Sequence, residues 1–280
     1  MQKTSSDAIS SSEQPFLRWA GSKRRILSRL SEFWGSGYNR YVEPFAGSSA
    51  LYFHLAPSSA LLSDINEALI HTYLVLRTSP SKLHQSISSY PSTETAYYKA
   101  RNLSPAGLTD LGRATRFLYL NRHCFNGIYR TNKSGEFNVP YAPPKNKQSR
   151  IPPLAHLQAC AKMLKTATLM ACDFEKCLAL VNDGDFVYLD PPYAVDSRRI
   201  FREYDPGAFS VQDLTRLGIS LHKIDNVGAK FVLSYADCRQ VRELGSEWSI
   251  RHIVVRRNVA GFAGARKSAR EVLITNIKGV

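Results

Sequence analysis

Asp190-Pro191-Pro192-Tyr193 stands directly behind the apolar run Phe186-Val187-Tyr188-Leu189. An acid, two prolines and an aromatic at the end of a buried strand make a pocket for a planar ring that carries an amino group. The carboxylate and the carbonyls accept hydrogen bonds, and the tyrosine supplies a π-face. Proline donates no N–H and fixes φ near about −65°, so the turn is stiff and its carbonyls are aimed by the backbone. In an open α/β sheet, ligands bind in the crevice outside the carboxyl ends of the strands.

Three further segments carry chemistry. Tyr41-Val42-Glu43-Pro44-Phe45-Ala46-Gly47-Ser48-Ser49 reads as strand, glycine turn and helix start, where free N–H groups face a ligand. It is not G-x-G-x-x-G, which disfavours a pyrophosphate-binding dinucleotide site. Asp64 closes the next strand, where an acid accepts hydrogen bonds from ribose hydroxyls; an adenosyl group without phosphate fits both features. Phe16-Leu17-Arg18-Trp19-Ala20-Gly21-Ser22-Lys23 brings a flat apolar wall, Trp19, and a cation, Lys23, to the same edge. Finally, Asn121 to Arg130 runs through Asn132-Lys133-Ser134-Gly135 into Glu136-Phe137-Asn138-Val139-Pro140-Tyr141, a hairpin pattern. Its Arg and Asn side chains are the types that read guanine and adenine edges, and Phe125 is available as a wedge.

These segments need a scaffold that alternates strands with helices. Strands are expected over residues 40–43, 60–63, 168–171, 186–189, 230–234, 250–255 and 271–276. Helices are expected over 23–33, 48–55, 67–76, 94–103, 108–122 and 210–224, the last opened by Ser210 and Asp213 as a capping pair. The alternation predicts an α/β fold with a doubly wound, mostly parallel Rossmann-like sheet. The rhythm breaks between Thr78 and Lys165, which reads as an inserted helical and hairpin lobe. The division is therefore a catalytic domain over 15–77 and 166–280, a lobe over 78–165, and a disordered polar tail over 1–14.

The chain has 280 residues, and Lys plus Arg outnumber Asp plus Glu, 37 against 23, for a net charge of +14. Such a surplus implies a polyanionic partner, with nucleic acid ahead of a membrane surface. No apolar run reaches the roughly 18 residues of a membrane span, and no secretory leader is seen. The five cysteines show neither paired nor metal-ligand spacing, which fits reduced thiols in the cytoplasm and no bound metal.

The set R-W-A-G-S-K, V-E-P-F-A-G, L-S-D-I-N, L-N-R-x-x-F-N-G-I-Y-R, G-E-F-N-V-P and D-P-P-Y, in this order, resembles the Dam-type family of DNA adenine-N6 methyltransferases. The tail from Val255-Arg256-Arg257-Asn258 through Arg266 to Glu271-Val272-Leu273-Ile274 is similar too. The resemblance implies that S-adenosylmethionine is held by Trp19, Lys23, Asp64 and Asp190, is framed by Glu43, Phe45 and Gly47, and has its adenine near Asp173 and Phe174. It implies a catalytic corner of Asp190, Pro191, Pro192 and Tyr193, double-stranded DNA as partner, and GATC as target. Arg18 and Arg130 are the candidates for guanine edges, with Phe125, Asn126, Asn138, Pro140 and Lys145 as further DNA contacts. Lys147, Arg150, Arg256, Arg257, Arg266 and Lys267 are phosphate candidates. A monomer or weak dimer associated with the nucleoid of a bacterial or phage-infected cell is expected.

Adenine N6 is a poor nucleophile because its lone pair is delocalised into the ring. Asp190 and the Pro191 carbonyl are expected to accept from its two hydrogens and aim the lone pair at a sulfonium methyl, after the base has left the duplex and stacked on Tyr193. Two departures from the family pattern stand out: Ser48 and Ser49 where Gly-x-Gly often continues, and Ala142-Pro143 after Asn138-Val139-Pro140-Tyr141. The rival readings are methylation of RNA or of a protein amino or amide group, and a DNA-binding protein without catalysis. An NAD-linked oxidoreductase lacks its phosphate-binding glycines.

Overall fold

The computed structural model describes residues 13–143, 150–193, 209–256 and 268–279. Its sheet is built from β1 (Arg40–Glu43), β2 (Ala60–Asp64), β3 (Ala167–Ala171), β4 (Asp185–Leu189), β5 (Lys230–Ala236), β6 (Ser249–Arg256) and β7 (Ser268–Thr275). The order is β3-β2-β1-β4-β5-β7-β6. All pairs from β3 to β5 are parallel, and β7 joins β5 and β6 antiparallel. The chain winds outward from β1 to β3 and then restarts at β4 on the other side. The switch point of this Rossmann-like sheet therefore falls between β1 and β4.

Alternation along each strand divides the apolar residues between two faces. Tyr41, Leu62, Phe186 and Tyr188 enter one core; Val42, Leu61, Val187, Leu189, Phe231 and Ile274 enter the other. The central strand β4 is buried throughout, which is why it reads as a continuous apolar run.

The first face is covered by α1 (Leu27–Ser31), α2 (Ala50–Leu55), α3 (Glu67–Thr78), α4 (Pro80–Ser88), α5 (Glu94–Asn102), α6 (Asp110–His123) and α7 (Leu154–Leu164). The second is covered by α8 (Phe174–Leu178), α9 (Val211–Asn226) and α10 (Arg239–Leu244). Helix α9 opens with the expected capping box, Ser210 and Asp213 each accepting from the other's backbone. The helix expected over 23–33 is shorter: a 3-10 turn at Arg24–Ile26 precedes α1. Helices α4, α7, α8 and α10 were not expected from sequence.

Within 78–165 the described residues form helices and two isolated antiparallel bridges, Cys124 with Tyr141 and Thr131 with Phe137. The Asn132–Gly135 turn is closed by Asn132, whose side chain accepts from the N–H groups of Ser134 and Glu136. Helix α6 packs on α3 and α4, so this stretch shares its core with one face of the sheet. Residues 1–12 of the expected tail lie outside the described residues. Gln14 is tied down, its carbonyl accepting from His156 on α7 at 2.6 Å. No helix among the described residues is long and apolar enough to cross a membrane.

Candidate active site

A cavity of about 600 Å³ opens at the carboxyl ends of β1 and β4, the switch point of the sheet. Its walls include Trp19, Lys23, Glu43, Phe45, Gly47, Tyr188, Asp190, Pro191, Pro192, Tyr193 and Glu271. Strand ends explain the gathering. Val42 pairs with Val187, so Glu43 leaves β1 beside Tyr188, and Asp190 follows one residue beyond the end of β4. Antiparallel pairing sets Glu271 of β7 opposite Ala236, at the same end of the sheet.

The polar centre is Lys23, which is buried. Its Nζ lies 3.0 Å from Asp190 Oδ1 and 3.4 Å from Glu271 Oε2, and donates to the Tyr193 hydroxyl at 3.1 Å. The Tyr193 hydroxyl in turn donates to Glu271 Oε1 at 3.0 Å. Burial alone would lower the lysine pKa, but Asp190, Tyr193 and Glu271 together hold it above the usual range. Burial pushes the Tyr193 phenol up to about 12 against the pull of Lys23, so it stays neutral. Tyr193 stands edge-on to Tyr235 with ring centres 5.0 Å apart.

Glu43 is nearly inaccessible, and its Oε2 makes no hydrogen bond to the described residues. Burial first, and then the nearby Asp190 and Asp64, raises its carboxyl well above the ordinary range, while the hydroxyls of Tyr41 and Ser49 oppose the rise. The turn that follows is tight. Gly47 has φ +47°, and a Cβ there would stand 2.8 Å from Trp19 Nε1, so only glycine fits. Ser49 also takes a left-handed conformation, φ 48°, before α2.

Three expected cofactor residues sit outside the cavity wall. Asp64, expected to take ribose hydroxyls, has its Oδ2 accepting from Gly47 N and its Oδ1 from Asn66 N, both at 2.9 Å. It fixes the glycine turn and holds the backbone of Asn66, whose own side chain caps α3 by accepting from Leu69 N. Asp173 caps α8 through Glu175 N and pairs with Arg216 at 2.7 Å. Phe174 packs into the second core, against Phe45 at 5.3 Å and under the Arg216 guanidinium. It reaches the cavity wall through Phe45.

The DNA candidates gather on the 124–141 loop. Phe125, Asn126, Arg130 and Pro140 are exposed and Asn138 is half-buried. Arg130 Nε donates to Asn138 Oδ1 at 2.7 Å, and Phe125 N to the Pro140 carbonyl at 3.0 Å. Asn126 is held left-handed, φ 54°. Arg18 reaches this loop from below: its backbone exchanges two hydrogen bonds with the Asn121 side chain, and its guanidinium donates to the Arg122 carbonyl. Trp19 stacks on Tyr129, with centroids 6.3 Å apart and planes 16° off parallel, so one indole borders both the cavity and the loop. Arg150 was expected on phosphate; here it donates to the carbonyls of Arg122 and His123 at the end of α6. Lys145, Lys147, Arg257, Arg266 and Lys267 lie outside the described residues, as does the side chain of Arg256.

Sequence reasoning gave Glu271 no role of its own and overlooked Tyr188 and Arg216. The signal for Glu271 was an acid opening the apolar run Val272-Leu273-Ile274.

Comparison with known proteins agrees with this geometry. The model of D12 class N6 adenine-specific DNA methyltransferases matches residues 19–259. A type II methyltransferase of Lactococcus lactis subsp. cremoris is 31% identical over 94% of this chain and 95% of its own. A type II methyltransferase of Methanocaldococcus jannaschii is 33% identical over 94% of this chain and 99% of its own. The retron Ec67 DNA adenine methylase of Escherichia coli is 34% identical over 92% of this chain and 89% of its own. With that match spanning the glycine turn, the loop and the acidic corner alike, the chain belongs to the D12 class of adenine-specific DNA methyltransferases.

Proposed function

We propose that the protein methylates N6 of an adenine extruded from duplex DNA, with S-adenosylmethionine as donor and GATC as the target. The observation that carries this reading is the convergence of Lys23, Glu43, Asp190, Pro191 and Tyr193 on one cavity at the switch point, with an exposed Arg- and Asn-bearing loop beside it.

The cavity suits a cationic adenosyl donor. Its wall carries Glu43 and Asp190, beside a Glu271 whose charge is matched by Lys23. A buried carboxyl oxygen without a hydrogen-bond partner, Glu43 Oε2, gains from a bound cation. Gly47 would let a ligand approach the backbone where any side chain would strike Trp19. S-adenosylmethionine, when bound, supplies an electrophilic methyl on a sulfonium.

The chain's own residues do the rest. Asp190 and the Pro191 carbonyl accept hydrogen bonds from the two N6 hydrogens and draw the nitrogen lone pair out of conjugation. As nitrogen takes the methyl, the methyl's bond to sulfur breaks, and the surplus N6 proton is then lost to solvent. The carboxylate stabilises the positive charge that develops on nitrogen. Tyr193, tethered through its hydroxyl, offers its ring to the base, which leaves the stack at a cost of roughly a few kcal/mol. Arg130 and Arg18 are assigned to guanine edges, Asn126 and Asn138 to adenine edges, with Phe125 as the wedge and Pro140 and Lys145 as flanking contacts. Asp173 and Phe174 would support the adenine of the donor through Phe45. The stretch 78–165 is the recognition lobe of a monomer or weak dimer, and the +14 charge supports attraction to the nucleoid.

The test uses purified protein, methyl-labelled donor, and GATC duplexes beside duplexes with the site scrambled and a structured RNA. Label in N6-methyladenine from the GATC duplex alone, absent with Asp190→Ala, is the expected result. Equal labelling of scrambled duplex removes the target, and labelling of RNA alone removes the duplex. A 2-aminopurine at the target position should brighten on binding if the base is extruded.

A further inference from the structure

We infer that Glu271 is a positioning residue for the transfer, holding Lys23 and Tyr193 in place while Asp190 turns from the lysine to the adenine amino group. The inference rests on the adenine-N6 reading given above.

The starting observation is a conflict at Asp190. Its Oδ1 lies 3.0 Å from Lys23 Nζ, yet the carboxylate must also accept a hydrogen bond from the amino group of the base. Among the described residues the oxygens around the Lys23 ammonium belong to Asp190 at 3.0 Å, Tyr193 at 3.1 Å and, as an ion pair, Glu271 at 3.4 Å. If Asp190 loosens its hold, a lysine this deeply buried still needs a negative partner. Glu271 is the other carboxylate within ion-pair distance among the described residues, and it is itself 2% exposed.

Glu271 also fixes the ring. The Tyr193 hydroxyl donates to its Oε1, while the ring edge meets Tyr235, so the tyrosine is held at both its tip and its side. The acid is delivered by topology. Strand β7 enters antiparallel beside β5, and register puts Glu271 opposite Ala236 at the ligand end. A residue near the chain's C-terminal end thereby touches one from the first helical turn and one from the D-P-P-Y corner.

The experiment measures single-turnover methyl transfer by Glu271→Gln on a preformed complex with donor and duplex. Donor affinity is read by calorimetry and duplex affinity by polarisation. This variant keeps the size of the side chain and an acceptor for Tyr193 but removes the charge. A transfer rate lowered about 100-fold is expected, the scale of a small misplacement in a reacting complex, with both affinities within about threefold of the parent. A rate within threefold of the parent overturns the inference, as does an equal loss in donor affinity, which would mark simple binding. A second arm compares Lys23→Met with Lys23→Met/Glu271→Gln, a pair that carries no uncompensated buried lysine and so reports even if the single variant folds poorly. If Glu271 acts through Lys23, its removal there changes the rate less than tenfold; the full loss in both backgrounds overturns the inference. Asp190→Ala runs alongside. Should that variant stay active, the adenine-N6 reading of the corner fails; should it be inactive while Glu271→Gln is unimpaired, only the present inference fails.

Discussion

Lys23, Asp190, Tyr193 and Glu271 come from three distant stretches of sequence and bond to one another in the interior. The polar side chains of the 124–141 loop do the opposite. Arg130 bonds Asn138, Asn132 bonds Glu136, and Asn132 caps its own turn, all within one exposed segment. The cavity is fixed by long-range packing, so Lys23, Tyr193 and Glu271 are in place before any ligand arrives, as electrostatic preorganisation requires. The loop is held by local bonds at the surface, which can be exchanged for base edges at small net cost because water competes for them already. Trp19 joins the two regions, bordering Gly47 on one side and stacking on Tyr129 on the other. On the proposed reading, the cavity that holds the reacting groups is kept rigid, and the loop assigned to base readout is kept adaptable.

The strongest blow to the rigid side is Gly47→Ala. Alanine at φ +47° strains the backbone, and its Cβ would meet the Trp19 ring at 2.8 Å. A loss of about 3 kcal/mol in donor binding, roughly 100-fold, is expected from strain and displaced indole together. Calorimetry checks it, with circular dichroism to show that the sheet persists. Donor affinity within threefold of the parent would mean the turn is not the cradle it looks to be.

Arg130→Ala tests the adaptable side. Its guanidinium is exposed and bonded only to Asn138 among the described residues, so thermal unfolding should barely move, by less than about 0.5 kcal/mol. Discrimination between the target duplex and a duplex with its guanine replaced should fall by about 1–3 kcal/mol. Competition methylation of the two duplexes measures this. A large loss of stability with specificity intact would reverse the contrast between the regions.

Sequence showed the strands and the place of D-P-P-Y behind a buried one well, because each depends on local apolar runs and short-range turn chemistry. It failed where a role depends on what a strand is laid beside. Glu271 became a partner of Lys23 only through the antiparallel entry of β7. Asp64 and Asp173 sit at strand ends, as the pattern requires, and the contacts their carboxylates make with backbone N–H groups and Arg216 were not legible in the sequence either. Helix α7 begins behind Pro152-Pro153, residues that read as loop, and α4 starts on Pro80 within a serine-rich stretch of weak pattern.

A smaller effect of opposite sign comes from Ser49→Gly. Ser49 occupies the position where the family pattern often carries glycine, and it adopts φ 48° nonetheless. Relief of left-handed strain is worth about 1–2 kcal/mol, and glycine returns about 0.4–1 kcal/mol of it through the freer unfolded chain. The net expectation is a gain of roughly 0.5–1 kcal/mol in stability, read by urea denaturation. Destabilisation instead would show that the Ser49 hydroxyl, which donates to the Ala46 carbonyl and lies beside Glu43, outweighs the strain.

The smallest effect belongs to His123, buried beneath the loop between the Tyr119 carbonyl and the Ser92 hydroxyl. Burial holds its pKa below 6.5; the bond to Tyr119 opposes this, and Arg150, Arg122 and Arg18 add to the lowering. The unfolded chain therefore takes up the proton first as the solution is acidified. Above the unfolded value the histidine is neutral in both states and costs nothing. As pH falls through the unfolded value toward the lower folded one, stability is lost, and the loss is complete once both states are protonated. His123→Gln removes that proton uptake, so its melting temperature should fall less steeply than the parent's between about pH 7.5 and 5.5. Parallel slopes in the two proteins would show that the acid sensitivity lies elsewhere, with the buried carboxyls of the cavity then the groups to test.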